Sequence, residues 1–355
     1  KEYLPALKEG KEYLKDTDKF VYENACRNVD DAYNRFFKGL SGFPKYASRT
    51  KPNVSSFTTN FTNNNIELKM IGGIPHVKLP KIGNIRFILP KGKTLTDIQP
   101  HGVSIKAATV SKESDGSYRI SLRMESVIDK PVFPTFINSS EIVSVDLGLK
   151  DFGVFGNLKE TNTVPNPRWI QVHARRLRRF QKSLSRKQYD KKTHTGSRNW
   201  EKARLKVAKE QRKTADQRRD FHHKLSRAIT DNCVAFICED LAVKNMMKNR
   251  HLSKSIASVG WYQFLKMVQY KMECAGKYFR KISRWYPSSQ TCGCCGYKNT
   301  DVKDLSVRKW KCPKCGTWHD RDVNTQQNIY KIGAKMLQDE GIQVIGLPAT
   351  NKSAN

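Results

Sequence analysis

Cys292 and Cys295 form one C-x-x-C pair and Cys312 and Cys315 a second, each followed by glycine, Gly296 and Gly316. Glycine lets the chain turn sharply, so each pair can aim two thiolates at one point. Four sulfurs delivered this way make the closed tetrahedral site of a zinc ribbon over 286–318. Disulfides are the competing reading. The chain carries nine cysteines, an odd number at mostly unpaired spacing, which points to a reducing compartment instead. Cys294 is a spare thiol inside the first pair, and the matching C-x-x-C-G form selects Cys292 and Cys295 over it.

A second group of chemically able residues is acidic. HDRDVNTQQN follows the second cysteine pair and leads into the periodic apolar residues Ile329, Ile332, Met336 and Leu337. That is a helix start, with Asp320 read as its cap and Asp322 as a functional acid. Asp146 ends the β-branched run Ile142-Val143-Ser144-Val145, and Glu239 ends the apolar run 233–238. A carboxylate delivered by a buried strand is costly unless it is paired or holds a cation. For Asp146 a simple turn role is the alternative; Asp240 alternates away from Glu239 along its strand. Acids from two strands and one helix suit a pair of Mg²⁺ ions about 4 Å apart, with Asp146 shared between them. Such a site hydrolyses phosphodiesters, as in ribonuclease-H-like folds.

The elements that must hold these groups are strongly basic. The 355 residues include 65 Lys and Arg against 33 Asp and Glu, a net charge of +32, so a polyanion is the expected partner. No apolar run approaches the roughly 20 residues that span a bilayer. Residues 168–227 hold 21 of the basic residues and 5 acids in helix-forming sequence. Arg175, Arg176, Arg178, Arg179, Lys182, Arg186, Lys187, Arg204 and Lys206 are the expected phosphate contacts there. Residues 1–40 read as helical, with their aromatics packed on one face, and 41–53 as a loop interleaving basic and aromatic residues. Between 54 and 126 the period changes to two, with a hairpin signal at Asp115-Gly116, so a small antiparallel barrel or sandwich is expected before a linker at Pro131 and Pro134. A basic loop over 242–258, a helix over 259–279 and a short strand over 278–283 lead back to the ribbon.

The blocks VSVDLGLKDFGVF, ICEDLAVKNMMKN, GWYQFLKMVQYK, YPSSQTCGCCG, WKCPKCG and HDRDVNTQQNI resemble the signature blocks of the TnpB (OrfB) family. Those are RNA-guided nucleases of bacterial transposons, related to type V CRISPR effectors, and the resemblance runs over about residues 20–337. It implies an α/β and β multi-domain fold. The parts would be a helical recognition-lobe remnant over 1–45, a wedge-like β-barrel over 46–138 and a RuvC-like nuclease core over 139–285 with basic helices at 168–230. The ribbon, a last RuvC segment over 319–338 and a tail over 339–355 would follow. Asp146, Glu239 and Asp322 would be the catalytic, Mg²⁺-binding acids. One Zn²⁺, two Mg²⁺ and a guide RNA from the transposon end would be bound. Double- and single-stranded DNA would be the target, in the cytoplasm at the nucleoid, with specificity carried by base pairing. The resemblance also predicts two departures. The family's usual opening strand and helices are absent ahead of KEYLPALKEG, which reads as a fragment start. Thr325-Gln326-Gln327 replaces small residues, with an effect on packing more than chemistry. A non-catalytic RNA-guided repressor would lose one of the acids, and a strand-transfer transposase would need a rejoining chemistry such as a covalent tyrosine.

Overall fold

The computed structural model describes residues 9, 11 and 14–347, apart from 46–54, 128, 194 and 305. Most of the basic-aromatic strip over 41–53, nearly all of the chain before residue 14 and the tail from 348 lie outside the described residues. The chain divides into two compact units, 1–129 with 180–209, and 130–179 with 210–355. Among the described residues no helix is long and apolar enough to cross a membrane.

In the first unit, helix α1 (Lys19–Phe37) precedes six strands: β1 (Ser55–Asn60), β2 (Glu67–Ile71), β3 (Ile74–Leu79), β4 (Gly83–Arg86), β5 (Ser104–Lys112) and β6 (Tyr118–Glu125). They form two antiparallel three-stranded sheets, β1-β5-β6 and β2-β3-β4. Alternation turns Val77 and Leu79 inward while Lys78 faces out, and these join Ile66, Ile105 and Ala108 in one core shared by both sheets. The β5–β6 turn closes through Glu113 N to Ser117 O at 2.8 Å, with Gly116 in the left-handed region at φ +82°. Within the stretch expected to be helical, α1 starts at Lys19 with Asp18 at its N-cap, after a turn over 14–17. Its aromatics are not packed on the unit's core either: Phe20 is buried, whereas Tyr33 and Phe37 are exposed and cluster with Phe36 and Phe43 at ring distances of 5.3–6.3 Å. α1 lies against β1, anchored by Asn24 Nδ2 donating to Thr58 O at 3.0 Å.

The second unit contains β7 (Phe136–Asn138), β8 (Ile142–Leu147), β9 (Asp151–Gly156) and β10 (Thr161–Pro165), then helices α2 (Trp169–Ser185) and α3 (Arg198–Asn232), which the chain shares with the first unit. Strand β11 (Ala235–Glu239), helix α4 (Trp261–Cys274), β12 (Tyr278–Ile282), β13 (Lys309–Lys311), β14 (Trp318–Asp320), helix α5 (Arg321–Asp339) and β15 (Gln343–Ile345) complete it. Five strands form one sheet in the order β10-β9-β8-β11-β12. The first three make an antiparallel meander, and β11 and β12 run parallel to β8. Both faces are covered, which is why β8 and β11 read as near-continuous apolar runs. On one face Val145, Phe236 and Cys238 meet Phe264 and Val268 of α4; on the other Ile142, Ala235 and Ile237 meet Ile329, Tyr330 and Leu337 of α5.

Two expectations are corrected here. The helix expected over 259–279 is two: a helix Ser253–Val259, inside the stretch read as loop, ends at Gly260 (φ +72°), and α4 follows. Gly276 (φ +67°) then turns the chain, so Phe279 belongs to β12. Within the expected tail, β15 pairs in parallel with β7.

Gly333 lets α5 seat closely on the sheet, because a Cβ there would meet Ile237 Cγ2 at 2.3 Å. Gly333→Ala is therefore expected to destabilise the chain by about 1–3 kcal/mol through overpacking, read by thermal unfolding. Ile237→Ala in the same chain should recover part of that loss.

Candidate active site

Alternation on two neighbouring strands creates the site. Ile142, Ser144 and Asp146 share one face of β8, and Ala235, Ile237 and Glu239 share the same face of β11, with Ile142 opposite Ala235 and Ser144 opposite Ile237. This face is the one α5 covers. Asp146 and Glu239 thus emerge together at the carboxyl ends of two parallel strands, where α5 begins. Asp322 lies in the first turn of α5, after Asp320, whose Oδ1 accepts from Asp322 N at 3.1 Å and Val323 N at 3.3 Å and caps the helix. The three acids line one cleft with Lys150, Ser288, Arg308, Arg321 and Thr325. Asp240 points elsewhere, into ion pairs with Arg284 and with Lys281 at 3.6 Å.

Crowding of like charge in a partly desolvated cleft sets the electrostatics. Burial, then the charges of Glu239 and Asp322, hold the Asp146 carboxyl well above the usual carboxylate range. Burial also raises Glu239, against the opposing effect of the hydrogen bond it accepts from Ser288 Oγ. Arg308 Nη1 stands 3.4 Å from both carboxylate oxygens of Asp322. Oxygen donors that disfavour one another's ionisation are the set a hard divalent cation would satisfy.

The ribbon adds a separate centre. Sγ atoms of Cys292, Cys295, Cys312 and Cys315 all lie within 4.8 Å of one another, and among the described residues no other set of three or more ligand side chains is drawn so close, the three acids included. Cys294 is exposed and outside the cluster. The two turns match: Gly296 N donates to Cys292 O at 3.0 Å and Gly316 N to Cys312 O at 2.9 Å, with φ +72° at both glycines. Burial pushes the Cys292 thiol up to about 12, while the Thr317 hydroxyl, 3.3 Å from Cys315 Sγ, draws that thiol down to about 6. Four converging sulfurs on paired turns fit a tetrahedral thiophilic ion. His319 Nε2, 3.0 Å from Cys292 Sγ, is a supporting contact that spacing alone did not reveal.

Asparagines join this centre to α5. Asn324 Oδ1 accepts from Gly293 N at 2.8 Å and its Nδ2 donates to Thr291 O at 2.8 Å, while Asn328 Nδ2 reaches Ser288 O and Thr291 O at 2.8 and 2.7 Å. Arg321 Nη1 donates to Asp304 O at 2.7 Å. The ribbon in return sends Ser288 to Glu239 and Arg308 to Asp322. Sequence reasoning missed Ser288, Arg308 and Arg321, since nothing in a loop sequence says which side chain the fold will turn toward the acids.

The basic stretch forms α2 and α3 with a short ribbon, Tyr189–Asp190 against Thr195–Gly196, between them. Arg175, Arg178, Arg179, Lys182, Arg186, Lys187 and Lys206 are exposed. Arg176 and Arg204 also have partners within the protein: Arg176 Nε lies 3.2 Å from the buried Glu210, and Arg204 bonds Glu201 at 2.8 Å and Ser114 O at 2.9 Å.

Comparison with known proteins agrees with these features. The IS605-type OrfB family model, described as "Probable transposase", matches residues 125–250, and one described as "Cas12f1-like, TNB domain" matches 261–329. A protein of Streptomyces pristinaespiralis named "Putative RNA-guided DNA endonuclease" is 32% identical over 323 residues, 90% of this chain and 73% of its own length. "Putative RNA-guided DNA endonuclease InsQ" of Escherichia coli (strain K12) is 27% identical over 342 residues, covering 92% and 77%. In fold the chain is similar to the protein of the "Cryo-EM structure of the Cas12f1-sgRNA-target DNA complex", with a TM-score of 0.55 at 15% identity over 86% of this chain and 69% of that one.

If the asparagines clamp the ribbon, Asn324→Ala with Asn328→Ala should release it. Each substitution leaves buried partners unpaired, a loss of about 1–3 kcal/mol. Limited proteolysis should then cut within 289–317 faster, with metal content unchanged. Wild-type protease resistance of the double variant would count against the clamp.

Proposed function

The chain belongs to the TnpB (OrfB) family, and from that premise we propose that it is an RNA-guided DNA endonuclease that hydrolyses phosphodiesters at Asp146, Glu239 and Asp322. The observation that carries the reading is the convergence of three acids, from β8, β11 and α5, in one cleft of a chain with net charge +32. The five-stranded sheet with its covering helices is the RuvC-like core in this reading. Mg²⁺ ions held by the three carboxylates would supply an activated water and stabilise the leaving 3′-oxygen. The protein's own groups do the rest. Asp146, fixed in mid-sheet between β9 and β11, is the most rigid of the acids. Ser288 orients Glu239. Arg308 meets an incoming phosphate with positive charge, exchanging its contact to Asp322 for one to substrate.

The four cysteines would hold one structural Zn²⁺, which keeps the ribbon folded and so keeps Ser288 and Arg308 in the cleft. The exposed bases of α2 and α3 would grip the backbone of a guide RNA–target DNA duplex, whose base pairing supplies the sequence specificity. The guide would derive from the transposon end. The sheets of residues 55–125 correspond in this reading to the wedge-like barrel, and α1 to part of the recognition lobe. The protein would work at the nucleoid.

Guide-matched duplex offered to the full-length protein with its RNA is the test. Asp146→Ala, Glu239→Gln and Asp322→Ala should each slow cleavage by on the order of 10³-fold or more, a loss of several kcal/mol of charge stabilisation, with RNA and DNA binding retained. Ca²⁺ in place of Mg²⁺ should support binding and little cutting. Cleavage by Asp146→Ala at the wild-type rate would remove this trio from the chemistry.

Zinc analysis separates the ribbon's thiols. Wild-type protein and Cys294→Ser should carry one zinc per chain. Cys312→Ser should lose it, and with it binding energy on the order of 10 kcal/mol that is coupled to local folding. Equal zinc loss in both variants would overturn the ligand assignment.

A further inference from the structure

Beneath the acids, the interface between α5 and the sheet is mostly apolar; Tyr330 Oη donates to Ser139 O at 2.6 Å towards its far end, and a second polar contact lies nearer the acids. Ser144 and Gln326 are both fully buried there, among Ile142, Ile237, Ile329 and Tyr330. Ser144 Oγ donates to Gln326 O at 2.8 Å and accepts from Gln326 Nε2 at 2.7 Å, and the same Nε2 donates to Gly156 O, at the end of β9, at 2.8 Å. Three directed bonds therefore tie α5 to two strands at one spot.

The location matters. Ser144 precedes Asp146 by two residues on the same face of β8, about 7 Å along the strand. Gln326 follows Asp322 by four residues, about 6 Å along the helix. The knot thus lies nearly the same distance below each acid. Apolar packing is non-directional and tolerates sliding, whereas these bonds lose strength steeply when bent or stretched. A shift of α5 along β8 must break them before it can change the distance between Asp322 and Asp146.

The amide is only half matched for stability: its Nε2 serves Ser144 and Gly156, whereas Gln326 Oε1 is buried without a hydrogen-bond partner among the described residues. An apolar side chain of similar size would spare that carbonyl its desolvation but leave Gly156 O without this donor. We propose that Gln326, through Ser144, is a positioning residue for the cleavage reaction: a register lock that sets the spacing of Asp322 and Asp146, so that both hold the catalytic cations. The proposal rests on the endonuclease reading above.

The test uses the full-length protein with its guide RNA, as Gln326→Met, Ser144→Ala and Ser144→Thr, beside Asp146→Ala. Thermal unfolding, target binding, Mn²⁺ binding by calorimetry and single-turnover cleavage are measured on each. Gln326→Met should fold and bind target like wild type, with a lowered unfolding temperature because Gly156 O loses this donor, yet bind Mn²⁺ about 10-fold more weakly. It should cut on the order of 10²-fold more slowly at saturating metal. Ser144→Ala should shift Mn²⁺ affinity and rate in the same direction, and Ser144→Thr, which keeps the hydroxyl, should recover both. Wild-type Mn²⁺ affinity and rate in Gln326→Met overturn the lock. Should Gln326→Met not fold, Ser144→Ala decides alone, and wild-type values there overturn it equally. Asp146→Ala keeps the two ideas apart. If it still binds Mn²⁺ and cuts, the site assignment fails; if it is dead while Gln326→Met behaves as wild type, only the lock fails.

Discussion

Carboxylates repel one another, and the second unit is built around holding three of them together. Two are brought to one edge by parallel strands whose side chains alternate in step, Ser144 with Ile237 and Asp146 with Glu239 beyond them. The third depends on how α5 lies across those strands. Ile329, Tyr330 and Leu337 supply adhesion, Gly333 lets the helix come close, and Gln326 ties it along its axis. Positive groups then temper the cluster from the open side: Arg308 faces Asp322, and the first amides of α5 lie beside the same cleft, where a helix start favours negative charge.

The zinc-ribbon candidate is more than an appendage in this arrangement. Its base is fastened to α5 by Asn324 and Asn328, and its two ends return Ser288 and Arg308 to the acids. Thiol geometry and carboxylate geometry are therefore mechanically linked without sharing a ligand. In the proposed activity the exposed bases of α2 and α3 have a different purpose, since a surplus this large favours contact with phosphate.

Much of this was legible before any fold was known, for identifiable reasons. Asp146 and Glu239 end apolar strands, where burial cost makes an acid conspicuous. The cysteines declare themselves by spacing, and Asp320 by standing where a helix needs a cap. Ser288 and Arg308 were not legible, because an ordinary polar residue in a loop acquires meaning only from what the fold turns it toward. Glu210 and Glu201, distant or near in sequence, stand beside Arg176 and Arg204, which charge counting alone does not reveal. Tyr33 and Phe37 carried the periodicity of a packed face, yet periodicity says which residues share a side and not whether anything covers it. Gly260 inside an apolar helical pattern marked a break that the period alone concealed.

One feature of chain order has a bearing on synthesis. The acids arrive in three instalments, at positions 146, 239 and 322, and the ribbon is made between the second and third. A ribosome thus releases the basic helices α2 and α3 long before it releases α5. Any nascent or prematurely ended chain that stops short of Arg321 has two acids, no covering helix on that face of β8 and β11, and no seat for the ribbon. In the proposed activity, such a chain could occupy nucleic acid but not cut it, so the order of the sequence itself delays the hazardous step until the rest of the protein has been made.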